Sequence, residues 1–160
     1  MNLQETCKTI QHQNPSLTYA SVIDLDHIPE LEQKNVWCKP DAVFFSLITD
    51  GVPEWYTWVT WEDFKVETYA KRGLLFASFH DEKLVTQKTA EQSYTERRYG
   101  ADFIDWPAIQ ARGFSGIVVD SPCGPLWGGW DVSTVAVWSP EAISLVQAVP
   151  NAGKEWAYDL

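Results

Sequence analysis

Residues 128–138, GGWDVSTVAVW, combine the pattern of a buried β-strand with a charged residue at its start. The second half of this stretch is apolar and β-branched, which is typical of a strand in a sheet core. Asp131 stands between a tryptophan and this core, where serine or threonine would start the strand without a charge to solvate. Asp131 is therefore a candidate functional residue. The alternative is that Asp131 caps a turn through a local side-chain hydrogen bond.

Four other segments have the composition of strands. LTYASVIDL alternates with period two and predicts a strand from Leu17 that ends at residues 26–29. A second strand is expected over residues 42–48, entered through Pro40 and stopped by the turn signal Asp-Gly. The sequences LLFASFH and FSGIVVD predict the remaining two, and DEKLVTQ is expected to continue as an extended segment.

Helices are predicted between these strands. Residues 53–73 carry Pro53 at the first helical position and Gly73 as a C-terminal cap, and their apolar residues recur at intervals of three and four. The part WYTWVTW is also compatible with a strand. Three shorter helices are expected: one from Thr89 to Tyr99, one between Asp105 and Gly113, and one over SPEAISLVQ, residues 139–147.

Strands and helices alternate irregularly, so the sequence favours an α+β fold rather than a doubly wound parallel sheet. We predict a single domain over residues 17–160, built on a mostly antiparallel or mixed split sheet with short flanking helices. The more polar residues 1–16 are expected to be loosely held.

Charge and composition exclude several classes of function. The net charge of −10 makes nucleic acid an improbable partner, because phosphate backbones repel an acidic protein. No apolar run approaches the roughly 18 residues of a membrane helix, and no targeting signal precedes the domain, so a cytoplasmic protein is expected. The three cysteines show no paired spacing, which argues against a disulfide framework and against a metal site.

Tryptophan is the most unusual component of the chain, with nine residues among 160. Four of them fall within residues 37–61 and three within residues 127–138. Such clustering indicates either an aromatic-walled cleft or a small core built from large side chains.

Several of these segments together carry a resemblance. The early strand LTYASVIDL, the aromatic-aromatic-serine strand AVFFSL, and the late pair GFSGIVVD and DVSTVAVWSPEAI resemble the layout of ADP-ribosyltransferase-like domains. KPDAVFFS with GWDVSTVAVWSPEAI is also similar to an uncharacterised family of small bacterial and phage proteins. The two likenesses cover about half the chain, and each motif is of low specificity.

The first resemblance implies an NAD-binding protein that transfers ADP-ribose to a protein target. Asp131 would then be the catalytic carboxylate, and Ser46 would match the serine of the second strand. Residues expected to contact NAD are Tyr19, Ser21, Lys39, Phe45, Trp127 and Trp130. The chain departs from the family at two points: it has aspartate where glutamate is usual, and Ala20 and Ser21 where the first strand usually carries arginine or histidine.

Two other functions remain open at this point. One is a non-enzymatic acidic interaction protein, such as a phage-encoded inhibitor, that blocks a basic site on a partner protein. The other is a cysteine nucleophile, Cys123 paired with His27 or His80, although nothing in the sequence places these residues together. Convergence of Asp131, Ser46 and the first strand on one pocket would favour the NAD-binding hypothesis.

Overall fold

A computed structural model describes residues 2–23, 39–150 and 152–159 of the protein. Within these ranges the helices are α1 Leu3–Gln13, α2 Glu54–Trp61, α3 Val66–Tyr69, α4 Gln87–Ser93, α5 Trp106–Ala111 and α6 Ala152–Asp159. The strands are β1 Tyr19–Ile23, β2 Val43–Thr49, β3 Val52–Pro53, β4 Gly73–Phe79, β5 Leu84–Thr86, β6 Thr95–Arg98, β7 Ala101–Ile104, β8 Gly116–Val119, β9 Thr134–Val137 and β10 Ile143–Val149.

The main sheet has the strand order β10-β4-β1-β2-β9-β8-β5, with β3 attached to β2. All its strand pairs are antiparallel except β5 and β8, and the fold is mixed α+β with a curled mixed sheet, in agreement with the predicted class. The expected split sheet differs from what is observed. Among the described residues, one curled sheet carries eight strands, and β6 and β7 form a separate two-stranded hairpin.

Side chains along each strand alternate between the two faces of the sheet. The apolar side chains on these faces form three clusters with the packed helices and loops. One face carries two of them. The helical cluster packs α1, α2 and α6 on the sheet around the stacked rings of Tyr56 and Trp156. The tryptophan cluster packs α4 and α5 on the same face around Trp127 and Trp130. The third cluster lies on the opposite face and includes Phe45.

The N-terminal segment is not loosely held, contrary to the prediction. Residues 3–13 form α1, which begins with a capping box between Asn2 and Glu5. Leu3, Cys7 and Ile10 of this helix are buried in the helical cluster. The polar composition of the segment reflects its exposed face, and spacings of three and four residues bring the apolar minority together on one side.

The predicted helix over residues 53–73 is broken into α2 and α3. Asp63 and Lys65 adopt left-handed backbone conformations, with φ of 52° and 50°, and these conformations cannot be part of a right-handed helix. Gly73 opens β4 instead of capping a helix. The alternative of a strand over WYTWVTW is also not observed.

Two further predictions needed correction. The helix expected from Thr89 to Tyr99 begins earlier, at a cap provided by Thr86, and gives way to the β6–β7 hairpin. Residues 139–147 form a single 3₁₀ turn followed by β10 rather than a helix, because β10 pairs with β4. The strand over residues 42–48 and the helix capped by Asp105 are confirmed. The predicted end of β1 at residues 26–29 lies outside the described residues.

Candidate functional site

A cleft of about 330 Å³ opens on the helix-bearing face of the sheet, between the helical cluster and the tryptophan cluster. Its floor is formed by the central strands β1, β2 and β9. One wall comes from α2, α3 and the residues around them, and the other from the loop that precedes β9. The lining residues are Ala20, Ser21, Lys39, Phe44, Phe45, Ser46, Trp55, Phe64, Tyr69, Arg72, Trp130, Asp131, Val132 and Thr134.

The helical wall consists of aromatic rings that pack on one another. Trp55 stacks on Trp58 with ring centroids 4.8 Å apart, and Phe64 meets the Trp58 ring edge-on at 5.4 Å. Tyr69 from α3 completes the group through an edge contact with Trp55 at 6.0 Å. The Arg72 guanidinium lies 5.1 Å from the centre of the Tyr69 ring, so this wall also carries a cation.

The loop wall presents one tryptophan, one lysine and one carboxylate. Trp130 is buried and meets Phe44 edge-on at 5.6 Å. The Lys39 ammonium lies 5.4 Å from the Phe44 ring centre and 5.6 Å from the Trp130 ring centre. Asp131 follows Trp130 and is solvent-exposed at the cleft. The two walls together therefore provide two cations and one carboxylate beside flat apolar surfaces.

Helix α4 anchors the loop between β8 and β9. The side-chain amide of Gln87 forms two hydrogen bonds with the backbone of Ser121: Nε2 donates to the carbonyl at 2.9 Å, and Oε1 accepts the N–H at 3.0 Å. Four residues further along α4, the Glu91 carboxylate accepts the indole N–H of Trp127 at 2.7 Å. Gln87 is buried, so loss of its partner would leave polar atoms unsatisfied.

A second set of hydrogen bonds fastens the end of this loop. The Ser133 hydroxyl donates to the carbonyl of Asp120 at 2.8 Å, which brings the two ends of the loop together. The backbone N–H of Ser133 donates to the Glu54 carboxylate at 3.1 Å. Glu54 begins α2 and also accepts from the Thr49 hydroxyl at 3.2 Å. This carboxylate therefore ties the helical wall to the loop wall at one end of the cleft.

Ser46 lies on the cleft floor, but its hydroxyl is engaged within the fold. The backbone N–H of Trp55, in the first turn of α2, donates to Ser46 Oγ at 3.3 Å. The hydroxyl itself donates weakly to the carbonyl of Ala20 at 3.5 Å. Ser46 is only 5 % exposed. It serves as a cap for α2 supplied from a neighbouring strand, and so positions Trp55.

Of the eight site residues predicted from the sequence, six are among the residues that line this cleft: Ser21, Lys39, Phe45, Ser46, Trp130 and Asp131. The ring of Phe45 packs on Phe79 at 5.2 Å in the third cluster, on the opposite face of the sheet, so this side chain does not point into the cleft. Tyr19 and Trp127 are not among its lining residues. Tyr19 packs edge-on against Phe79 at 5.9 Å. Burial, with smaller contributions from Asp120, Glu54 and Asp81, raises the pKa of the Tyr19 phenol. Trp127 is buried behind Trp130, with its indole N–H donated to Glu91.

Sequence reasoning missed the lining residues of the helical wall. The predicted single helix over residues 53–73 would carry both Trp55 and Tyr69. The break at residues 62–65 instead brings Phe64 and Arg72 to the cleft. A usable signal was the composition of this segment, because EDFK, residues 62–65, places three charged residues and one aromatic between the two helices.

The cysteine-nucleophile alternative has no support in the cleft. Cys7 is buried, and burial followed by the charge of Glu155 raises the pKa of its thiol to about 12. Cys123 is exposed, and His80 lies 3.7 Å from the Glu82 carboxylate. Neither residue lines the cleft, and His27 falls outside the described residues. No group of three metal-ligating side chains occurs within residues 2–23, 39–150 and 152–159.

A second groove runs between the β6–β7 hairpin and residues 125–129. It contains Arg97 and Arg98, but both have acidic neighbours. Arg98 Nε lies 2.7 Å from the Glu96 carboxylate, and Arg97 lies 3.5 Å from that of Asp102. The two arginines of the groove therefore each face a carboxylate. Among the described residues that line the cleft, the charged side chains are Lys39, Arg72 and Asp131.

Comparison with protein-family models, with curated proteins and with solved structures gives no significant match. No helix in the described part of the chain is long and apolar enough to cross a membrane.

Proposed function

We propose that the cleft between the two walls binds NAD and that the protein transfers ADP-ribose to a protein side chain. The observation that carries this proposal is the meeting of Asp131, Lys39 and Arg72 with aromatic rings from both walls over strands β1, β2 and β9. This combination fits a ligand with a flat ring and an anionic diphosphate. The ADP-ribosyltransferase resemblance of the sequence supports the choice of NAD among such ligands.

The aromatic side chains of the cleft fit the planar rings of NAD. Trp55, Phe64 and Tyr69 on one side and Phe44 and Trp130 on the other offer ring faces and edges to a planar ligand. A volume of about 330 Å³ lies near the lower end of the roughly 300–1,000 Å³ usual for ligand pockets. The cleft is therefore suited to one nucleoside half of NAD, with the other half outside it.

The positive charges of the cleft fit the diphosphate of NAD. Lys39 and Arg72 approach the cleft from opposite walls, and a diphosphate between them would gain an attractive contact on each side. The rest of the protein repels such a ligand, since the net charge is −10. Binding therefore depends on these two side chains more than it would in a neutral protein.

Asp131 is the residue assigned to the transfer step. The bond between the nicotinamide nitrogen and C1′ of the ribose breaks, and nicotinamide leaves with the bonding electron pair. Positive charge then develops on the ribose, and a nearby carboxylate stabilises it. A nucleophile of the acceptor side chain bonds to C1′ and releases its proton to solvent or to a base. A hydrogen bond from a ribose hydroxyl to Asp131 would orient the sugar for this step.

Ser46 has a positioning role in this proposal rather than a catalytic one. Its hydroxyl holds the first turn of α2, and through Trp55 it sets the distance between the helical wall and the floor. Threonine retains the hydroxyl, so Ser46→Thr should keep NAD affinity where Ser46→Ala weakens it.

Calorimetric titration of NAD into the wild type, Arg72→Ala and Arg112→Ala tests the binding step. Arg112 is exposed at the end of α5 and does not line the cleft, so its variant is a matched loss of charge elsewhere. We expect the Arg72 variant to bind about tenfold more weakly, which corresponds to about 1.4 kcal/mol. Equal NAD affinities for the two variants, or no heat of NAD binding in the wild type, would refute the proposal that the cleft is the NAD site.

Release of nicotinamide from NAD, measured with the wild type and Asp131→Asn, tests the transfer step. Asparagine has nearly the same shape without the charge, and Asp131 is exposed, so the fold should be unaffected. We expect nicotinamide release to fall at least about a hundredfold while NAD affinity changes little, because the charge matters mainly in the transition state. Unchanged release would remove Asp131 from the mechanism and leave NAD binding intact.

A further inference from the structure

The second groove, beside the β6–β7 hairpin, adjoins the cleft at a tight turn of the chain. Gly128 and Gly129 line the groove, and the next two residues, Trp130 and Asp131, line the cleft. Trp106 also lines the groove, and its ring stacks on that of Trp130 with centroids 5.9 Å apart. The turn and this pair of stacked rings therefore form a thin partition between the two cavities.

The turn is a type II β-turn that begins at Trp127 and ends at Trp130. The N–H of Trp130 donates to the carbonyl of Trp127 at 3.0 Å, and Gly129 has the positive φ, 84°, that the third position requires. Gly128, at the second position, has φ of −56° and ψ of 129°, which any residue adopts. A Cβ on Gly128 would lie 4.0 Å from the Pro125 carbonyl oxygen, the nearest described atom. The turn therefore does not require glycine at position 128, and bare backbone is typical of places where a ligand passes close to the chain.

We propose that the second groove binds the adenosine half of NAD, and that the ligand crosses from the cleft to the groove over Gly128 and Gly129. This assignment rests on the proposed function, in which the nicotinamide ribose lies beside Asp131 in the cleft. The cleft volume of about 330 Å³ suits one half of NAD, and the groove, at about 790 Å³, has room for the other half. A ligand made of two joined nucleotides thus matches two adjoining cavities.

The charges of the two cavities match different parts of NAD. The two arginines of the groove face carboxylates at 2.7 and 3.5 Å, so their positive charge is compensated and the groove suits the uncharged adenosine. On the cleft side of the turn, the Lys39 ammonium lies 5.6 Å from the Trp130 ring centre. Positive charge is therefore available beside the turn, where the diphosphate would cross.

The groove also offers flat surfaces for a purine base. Pro125 and Leu126 provide apolar surface on one side. The Arg98 guanidinium lies 4.7 Å from the centre of the Phe103 ring, and both residues line the groove. Guanidinium planes stack on aromatic rings and on nucleic-acid bases. The Asp102 carboxylate lines the groove as well, and it can accept a hydrogen bond from a ribose hydroxyl.

Calorimetric titration of adenosine monophosphate (AMP) and nicotinamide mononucleotide (NMN), the two halves of NAD, tests this assignment. We expect AMP to bind to protein that is already saturated with NMN. Arg98→Ala should weaken AMP and NAD binding about fivefold and leave NMN binding unchanged. Arg72→Ala should weaken NMN and NAD binding and leave AMP binding unchanged. Arg112→Ala is the matched control, because Arg112 is exposed and lines neither cavity.

Gly128→Ala and Gly128→Leu test the crossing. Both variants are compatible with the backbone conformation of the turn, and the larger side chain covers more of the backbone over which the diphosphate would pass. NAD affinity should fall in two steps, by at least about tenfold for leucine, while the circular dichroism spectrum stays unchanged. Wild-type NAD affinity in Gly128→Leu would overturn the crossing.

The outcomes for AMP separate the adenosine site from the proposed function. Displacement of AMP by NMN, no heat of AMP binding, or equal AMP affinity in the wild type and Arg98→Ala would overturn the adenosine site and leave NAD binding in the cleft intact. AMP binding that depends on Arg98, without any binding of NMN or NAD, would refute the proposed function and support an adenine-nucleotide site in the groove.

Discussion

The two walls of the cleft are held in place by different forces. The helical wall consists of Trp55, Trp58, Phe64 and Tyr69, which are held mainly by ring packing. The loop wall has no regular structure around Asp131 and combines ring contacts of Trp130 with hydrogen bonds from α4, α2 and within the loop itself. Ring packing has little directional preference, whereas a hydrogen bond weakens steeply when its angle departs from linear. The backbone that carries Asp131 is thus held by directional bonds as well as by packing.

The largest effect on this comparison should come from Trp130→Ala. Trp130 is buried and contacts Trp106, Trp127 and Phe44, so the variant removes the apolar support of the loop wall. We expect the free energy of unfolding to fall by about 3–5 kcal/mol. Urea denaturation measures it. Trp61→Ala is the control, because Trp61 is 85 % exposed and its loss should cost less than about 0.5 kcal/mol. Similar losses in both variants would contradict the account.

Gln87→Ala should have the next largest effect, and it acts only on the loop wall. The variant leaves the N–H and carbonyl of Ser121 without their side-chain partner, at a cost of about 1–3 kcal/mol. Urea denaturation measures this loss, and NAD titration should show weaker binding as well. Gln92→Ala is the matched control on the exposed side of α4. Wild-type stability of the Gln87 variant would show that α4 does not anchor the loop.

Ser46→Ala should act on the helical wall alone. It removes the cap of α2, which typically costs about 0.5–2 kcal/mol. The total tryptophan fluorescence should also change as the first turn of α2, which carries Trp55, loosens, and Ser46→Thr should restore stability. A decrease in stability that threonine fails to restore would mean that packing, not the hydroxyl, explains the effect.

Alkaline pH offers a smaller test on the helical side. Burial raises the pKa of the Cys7 thiol from 9.0 to about 12, and it also raises the pKa of the Tyr56 phenol. Between pH 9 and 12 the unfolded chain loses the Cys7 proton while the folded protein keeps it, so stability falls as pH rises through this window. We expect the unfolding free energy to fall less between pH 8 and 10 in Cys7→Ala than in the wild type. Equal decreases would show that Cys7 makes no contribution.

The strand core of the fold could be predicted from the sequence, because periodicity and β-branched composition are local signals. The break between α2 and α3 has only a weak local signal, the charged residues at 62–65. The left-handed conformations at Asp63 and Lys65 occur where Phe64 packs against Trp55 and Trp58, which are contacts that composition does not reveal. Strand β10 was missed for a similar reason. Its serine-proline start is typical of a helix, and only the partner strand β4 draws it into the sheet.

The site could be predicted only in part. The predicted residues that line the cleft, such as Ser46 and Asp131, lie in the segments that carry the resemblance. Arg72 and Phe64 were missed because they reach the cleft through the break in the helix. Tyr19 was predicted to contact NAD, but it does not line the cleft. Neighbouring residues on a strand point to opposite faces of the sheet, and the Tyr19 ring packs against Phe79.

Hydrogen exchange with and without NAD tests the central claim most directly, because it reports on both walls in one experiment. The account predicts that NAD slows amide exchange in residues 54–72 and in residues 120–134 together, with no change in α1. Protection confined to other parts of the chain, or in only one of the two walls, would contradict a site built between them.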